Sequence, residues 1–280
     1  MAVKLESIVR RTFPQEDRAE VEERVAQAVE RDPEYFLRRY LEDPRSMGGR
    51  FVNSDLMKET FEDYRRSKET RNRYNAPVHN AAAVLAAEQF RRAIFDRTDL
   101  ERNVALFLTG IPGAGKTTSV LVAGGLPTPA RVVYEGQLAV AAQAIEKIEL
   151  ALGAGLRPEI TAVHLPAEQA LRNTLRRFEM EGRGASIEAM ASIQGRLWEG
   201  LAAVRERFGN AVKLRLFDRR GTMMAVLSGW QHLPLLASEG SYDDIKRNLV
   251  EILERDYRAG RIGEEAYEQA LGKAPRDFRR

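Results

Sequence analysis

The densest chemistry in the chain is the run Gly110-Ile111-Pro112-Gly113-Ala114-Gly115-Lys116-Thr117, followed by Thr118. It fits G-x-x-x-x-G-K-[ST], a loop whose glycines let the backbone wrap a phosphate while successive N–H groups form an anion nest. Lys116 is placed to reach the β- and γ-phosphates of a nucleotide, and the Thr117 hydroxyl to bind Mg²⁺. Average composition produces such a match in very roughly 1% of chains this long, and the flanks lower that figure further. An apolar segment, Asn103 to Thr109, runs in as a strand. The segment KTTSVLVAG runs out as a helix, whose N-terminus adds its positive end. A nucleotide site follows, with ATP and Mg²⁺ as its expected cofactors.

What the nucleotide does depends on the other motifs. No N/T-K-x-D guanine-reading motif is present, which argues against a GTPase switch. A motor-type ATPase wants an apolar strand ending in paired acids, whereas the next strand ends Val132-Val133-Tyr134-Glu135-Gly136, with one. A small-molecule kinase needs a carboxylate to take the acceptor's proton, a carboxylate to organise the metal, and mobile arginines to neutralise the transferring phosphoryl group. The chain holds candidates for all three.

Strands and helices must alternate to bring such residues together. Residues 1–45 read as helical, with Val21, Val25 and Val29 four apart and a break at Pro33. A short strand at 51–54 ends near Asp55, before the helical LMKETFEDY. The alanine-rich stretch 78–95 is a strong helix former. Strands are expected at 103–109, 131–134, 159–165 and 211–217, helices at 138–152 and 167–180, and polar helices over 241–272. The near-continuous apolar character of 103–109 suits a parallel strand covered on both faces. The fold class is therefore α/β, a P-loop NTPase-type three-layer sandwich around a mostly parallel five-stranded sheet, with helical extensions at both ends.

Composition excludes much else. The 280 residues are 44% hydrophobic and 30% charged, an ordinary globular mix. With 0 cysteines there is no disulfide framework or thiol nucleophile, and 3 histidines make a His-rich metal site unexpected. Lys plus Arg number 44 against 41 Asp plus Glu, a net +3 that is no electrostatic footprint for nucleic acid. The arginine clusters at Arg38-Arg39 and at Arg276, Arg279 and Arg280 read as solvated faces. No apolar run is long enough for a membrane span, and the N-terminus lacks a signal-peptide core, so a cytoplasmic protein is expected.

Four segments resemble the zeta toxin family of P-loop kinases, which phosphorylate UDP-N-acetylglucosamine from ATP. They are GIPGAGKTT; VVYEGQ, similar to the family's strand ending Glu-Gly-Thr; AVHLPAEQALRNTLRRFEMEGRG, similar to its strand, helix and lid; and FVNSDLMKETFEDY with the later YNAPVHNAAAVLA, similar to its Asp-bearing strand and substrate-side helix. They cover about residues 50–220. In the family the Asp-bearing strand follows the phosphate loop; here it precedes it, which implies a circular permutation. Calling the strands A to E in chain order, the resemblance implies the spatial order A-C-B-D-E, with one crevice at their C-terminal ends. Gln137 and Ala139 stand where the family has Thr and Arg, on the sugar-nucleotide side.

The resemblance implies roles. Asp55 would be the general base, its alternative being a helix N-cap. Lys58 would meet the substrate, its alternative being a surface lysine. Glu135 would orient Mg²⁺ waters or hold the acceptor, with Gln137 beside it, unless it is only a polar strand end. Arg177, about 100° round the helix from the solvent-facing pair Arg172 and Arg176, would clamp phosphate together with Arg183, which lies between Gly182 and Gly184 in a lid. His79, His164, Trp198 and Trp230 read as core, rim or lid-packing residues. The expected organisation is a helical extension (1–45), a kinase domain (46–235) and a second extension (236–280). The first extension would be an auxiliary unit whose removal raises activity. The expected function is ATP-dependent phosphorylation of a small-molecule hydroxyl, with a nucleotide sugar such as UDP-N-acetylglucosamine as acceptor and an antitoxin as partner. A kinase of another nucleotide and a non-catalytic nucleotide-binding regulator stay open as alternatives.

Overall fold

The computed structural model describes residues 5–118, 129–221, 223–237 and 240–275. Two helices, α1 (Glu16–Arg31) and α2 (Pro33–Glu42), open the chain. Asp32 makes the break between them. Its backbone, at φ −144° and ψ 74°, lies outside the helical region, as suits the residue before Pro33, and its side chain accepts the Tyr35 N–H at 3.1 Å as the N-cap of α2. Strand β1 (Phe51–Asn53) leads directly into the short helices α3 (Ser54–Lys58), α4 (Glu62–Arg65) and α5 (Lys68–Tyr74), then the long α6 (His79–Phe95).

Strands β2 (Val104–Thr109), β3 (Ala130–Glu135), β4 (Arg157–His164) and β5 (Lys213–Asp218) alternate with α7 (Ala141–Gly153), α8 (Ala167–Glu181) and α9 (Ile187–Phe208). A final strand, β6 (Ala225–Ser228), a 3₁₀ segment at Trp230–Ala237, and helices α10 (Tyr242–Arg258) and α11 (Glu264–Ala270) complete the described chain. The sheet order is β1-β3-β2-β4-β5-β6, with the first five strands parallel and β6 antiparallel to β5.

The first five strands stand in the order A-C-B-D-E expected above, but the sheet has six strands, not five. Strand β6 escapes a pattern-based reading because it is four residues long and lies on an edge with no buried residue, so no alternation marks it. Helix α9 is also missing from the sequence reading, although Ile193, Leu197, Leu201 and Val204 stand at helical spacing and are buried.

Alternate side chains of β2 feed two cores. Ala105 and Phe107 join a cluster with α7 and α9, while Val104, Leu106 and Leu108 join one with α1, α2, α3 and α6. Helices therefore cover both sheet faces, as a central parallel strand requires. A third cluster joins Ile111 and Ala114 of the phosphate loop to α8, α10 and α11.

These clusters alter the standing of the terminal segments. Val21, Val25, Val29, Phe36, Leu37 and Tyr40 share a core with the sheet itself. The Tyr40 hydroxyl donates to the Phe51 carbonyl at 2.7 Å and accepts the Asn53 N–H at 3.0 Å, closing the outer side of β1. Arg73, fully buried, pairs with Asp17 of α1 at 2.5 Å and donates to the Pro275 carbonyl at 3.0 Å. At the other end, Ile245, Leu249, Ile252 and Leu253 of α10 pack with Leu171 and Phe178 of α8.

Removal of residues 1–45 is thus expected to abolish soluble folded protein rather than release activity. Six buried apolar side chains at about 1.5–3 kcal/mol each match or exceed a whole-domain stability of about 5–15 kcal/mol. Far-UV dichroism and thermal unfolding of the truncated chain check this. A folded, more active truncated form would show that the sheet face tolerates exposure.

Candidate active site

The phosphate loop leaves the fully buried β2 and is anchored by Ile111 and Ala114, both 0% exposed. Gly113, at φ 84°, lies so close to α8 that a Cβ there would clash with the Ala170 carbonyl oxygen. Two side chains from later in the chain hold the loop's carbonyls: Asn173 Nδ2 donates to Gly113 O at 2.9 Å, and Arg219 Nη1 donates to Ala114 O at 2.7 Å. Because C=O and N–H of a trans peptide point opposite ways, fixing the Ala114 carbonyl also fixes the direction of the Gly115 N–H.

Lys116 to Thr118 open the helix that the motif requires; the rest of the expected KTTSVLVAG helix lies outside the described residues, as do Arg276, Arg279 and Arg280. Lys116 Nζ donates to Gly110 O at 3.2 Å and Ile111 O at 3.3 Å and lies 3.9 Å from Glu135 Oε1. Burial lowers its pKa from the ordinary lysine value, opposed by the charges of Glu135 and Asp55. The Thr117 hydroxyl donates to Glu135 Oε2 at 2.8 Å. This pair offers adjacent oxygens to a hard cation. Among the described residues no group of three or more His, Cys, Asp or Glu could hold a metal ion. A Mg²⁺ ion here would use Thr117 and Glu135 together with nucleotide oxygens and water.

Asp55 sits in the first turn of α3, at the C-terminal end of β1. The capping task falls to Asn53, whose side chain accepts the Leu56 N–H at 2.9 Å, so the Asp55 carboxylate is not spent on a cap. Lys58 Nζ donates to Asp55 Oδ1 at 2.8 Å and to Asn75 Oδ1 at 2.7 Å. The Lys58 side chain is 3% exposed and that of Asp55 47%, so Lys58 lies beneath the carboxylate and is not a surface lysine. The Lys58 ammonium, with smaller help from Arg177 and Arg183, holds the Asp55 carboxyl well below the usual carboxylate range despite some burial. Burial, then the charges of Lys58 and Arg11, push His79 down to about 4, so it is neutral at pH 7.

Arg177 and Arg183 converge on one acid. Arg177 Nε lies 3.4 Å and Arg183 Nε 3.0 Å from Glu181 Oε2, and Arg183 Nη2 binds the same oxygen. Arg183 Nη1 also stands 3.9 Å from Glu59 Oε1, whose carboxylate is held by Arg71 at 3.0 and 3.1 Å. Glu181 therefore occupies both of the guanidinium groups that the sequence reading expects to bind phosphate. The Glu181→Gln variant is expected to bind a non-hydrolysable ATP analogue about two- to tenfold more tightly, since each partly exposed pair is worth about 0.2–1 kcal/mol. Calorimetric titration reads this; weaker binding would mean that Glu181 orients the arginines instead of competing for them.

A cleft of about 600 Å³ joins these groups: Asp55, Thr117, Glu135, Arg177 and Arg183 all line it. Gln137 is exposed and is not among its lining residues. Arg172 and Arg176 pair with Glu168 and Asn173 on the outer face of α8. Trp230 is core, its Nε1 donating to the Val212 carbonyl at 2.9 Å, whereas Trp198 is 40% exposed.

Sequence reasoning missed Asn173, Arg219 and Glu181. Arg219 follows the end of β5, where parallel sheets gather ligand-binding groups, and that position was a usable signal. Asn173 and Glu181 carried none.

No family model and no curated protein matches the sequence. Solved structures similar to it include a chain of the PezAT chromosomal toxin–antitoxin system of the human pathogen Streptococcus pneumoniae, at 13% identity over 61% of this chain and 95% of that one, with a TM-score of 0.38. Another is a chain of the AvrRxo1-ORF1:-ORF2 complex, at 15% identity over 67% of this chain and 83% of that one, with a TM-score of 0.40. Likenesses this remote carry no weight for activity. Among the described residues no helix is long and apolar enough to cross a membrane.

Proposed function

We propose that the protein is an ATP-dependent kinase that phosphorylates a hydroxyl of a small molecule in the cytoplasm, with a nucleotide sugar or related nucleotide as acceptor. The observation that carries this reading is the opening of Asp55, Thr117, Glu135, Arg177 and Arg183 onto one cleft from four separate segments. A bare nucleotide-binding regulator has no need of a half-exposed carboxylate, held well below the usual range by Lys58, in the cleft that Thr117 lines.

In this reading Lys116 exchanges the Gly110 and Ile111 carbonyls for phosphate oxygens. Asn173 and Arg219 keep the loop shaped for them. Mg²⁺, held by Thr117 and Glu135, would shield the phosphate charge. Arg177 and Arg183 leave Glu181 for the oxygens of the moving phosphoryl group. The acceptor oxygen forms the new P–O bond as the bond to ADP breaks, and its proton passes to Asp55. An Asp held this acidic is a weak base, which suits a loose transition state in which the proton leaves late. Lys58 acts through Asp55 as a positioning residue.

The zeta-toxin resemblance supports three further proposals: the permuted order of the Asp-bearing strand, growth inhibition by the product's formation, and a neutralising antitoxin. Incubating the protein with γ-labelled ATP, Mg²⁺ and a metabolite extract tests the kinase reading. A labelled small molecule is expected with the wild type and not with Lys116→Ala; label released only as inorganic phosphate, or not at all, would overturn it.

A further inference from the structure

Arg183 stands between two acids of unlike character. Glu181, at the end of α8, is 43% exposed. Glu59, just past the end of α3, is 10% exposed, and its Oε1 lies 3.9 Å from Arg183 Nη1. Arg71 of α5 holds both Glu59 oxygens, Nε to Oε1 at 3.1 Å and Nη2 to Oε2 at 3.0 Å. A carboxylate held by both oxygens cannot follow a moving guanidinium, yet each oxygen keeps a lone pair for a second donor. Exposed Glu181 can let go of Arg183; Glu59 stays in place.

The loop that carries Arg183 is pressed onto the same wall. Gly182, at φ 73°, closes α8 so near the start of α5 that a Cβ there would strike the Lys68 carbonyl oxygen. Just before α5, helix α4 buries Tyr64 completely. The Tyr64 carbonyl accepts the Thr70 hydroxyl at 3.0 Å, and Thr70 forms the capping box of α5 with Ser67, so the backbone behind the ring is fixed. The Tyr64 hydroxyl is itself buried and has no hydrogen-bond partner among the described residues. Buried polar groups almost always have one, and an orphan costs free energy. Burial, then the Asp55 charge, raises the Tyr64 pKa above the ordinary tyrosine value, while the charges of Arg183 and Arg177 oppose the rise. The orphaned hydroxyl thus belongs to the neighbourhood of the phosphate-handling groups.

A guanidinium carries five N–H donors in a fixed fork. A phosphoryl group takes one edge of the fork, and the remaining donors need acceptors that are already in place when charge moves. We propose that Glu59 and Tyr64 form the seat in which Arg183 docks during phosphoryl transfer. The guanidinium leaves Glu181, closes onto Glu59 Oε1, donates one N–H to the Tyr64 hydroxyl and turns its free edge to the phosphoryl oxygens. Arg71 keeps the seat rigid. Glu59 and Tyr64 act through Arg183 and are positioning residues. This inference rests on the kinase reading above.

The test uses the full chain in single-turnover transfer from γ-labelled ATP, with Mg²⁺ and the metabolite extract, beside calorimetric titration of the non-hydrolysable analogue AMP-PNP and a melting curve. Tyr64→Phe is expected to transfer about ten- to a hundred-fold more slowly at saturating ATP, the worth of a hydrogen bond to a charged group. Its AMP-PNP affinity should change far less, because an interaction made in transfer and not on binding lowers the rate alone. Its melting temperature should be unchanged or higher, since the hydroxyl it lacks had no partner. Glu59→Gln should also slow transfer and leave AMP-PNP no tighter, opposite in sign to the tightening expected of Glu181→Gln. In an Arg183→Ala background Tyr64→Phe should have no further effect on transfer. Wild-type transfer by Tyr64→Phe, an equal fall in its AMP-PNP affinity, a lowered melting temperature, or a loss that persists undiminished in the Arg183→Ala background each overturns the seat and leaves the kinase reading standing. No labelled product from the wild type overturns both.

Discussion

Phosphoryl transfer by the Lys116→Ala variant is expected to fall by at least about 10²–10³-fold, the cost of losing one preorganised donor to developing charge. The contacts of Lys116 stay within the site, to the loop carbonyls and Glu135. Its two hydrogen bonds, at 3.2 and 3.3 Å, close the loop on its own carbonyls, and burial already disfavours its charge. Removing it should leave the thermal unfolding midpoint unchanged or raised. The measurement is single-turnover transfer from γ-labelled ATP beside a melting curve. A variant that transfers at near wild-type rate would show that the loop is not the donor site.

The Asp55→Asn variant separates chemistry from binding. Shape and the Lys58 hydrogen bond to Oδ1 survive and the helix cap belongs to Asn53, so the fold is expected to persist with a lower melting temperature, because the buried Lys58 ammonium loses its counter-charge. ATP affinity should persist while transfer falls by about 10²–10⁴-fold, the range for loss of a general base. The pH profile adds a second readout. Lys58 holds the carboxyl well below its ordinary range, so it stays charged as the pH falls from 8 to 5 and contributes no loss of rate there. In Lys58→Met that support is gone, and the acid limb should move up toward the ordinary carboxylate value of about 3.9 or above. Full transfer by Asp55→Asn, or an acid limb that ignores Lys58, would remove Asp55 from the mechanism.

How much of this was readable in advance differs between elements. The phosphate loop was legible because its task is local: eight consecutive residues and the strand and helix flanking them suffice. Strands β2, β3 and β4 were legible because parallel strands covered on both faces are apolar runs, and β5 because its buried Leu214 and Leu216 alternate with exposed Lys213 and Arg215. The edge strand β6, with no buried residue, offered no such mark. The N-terminal helices were recognised as helices but not as core, because a stripe such as Val21, Val25 and Val29 says that a face is buried and not what buries it.

Sequence alone determined the nucleotide motif, the α/β alternation and the residue types available for transfer, since each of these depends on composition and spacing within a few turns of chain. Tertiary structure decided the partnerships. Arg219 holds the loop carbonyl of a residue 105 positions away. Glu181 receives both Arg177 and Arg183. Lys58 is buried under Asp55 and fixes its charge, where the sequence offered only a surface or substrate-facing lysine. Arg45 and Met47 turn into the cleft from a segment that carries no motif. The reason is common to all four. An ion pair or a wall residue is defined by a distance of a few ångströms in space, and packing sets that distance among elements far apart in the chain, where no local periodicity records it.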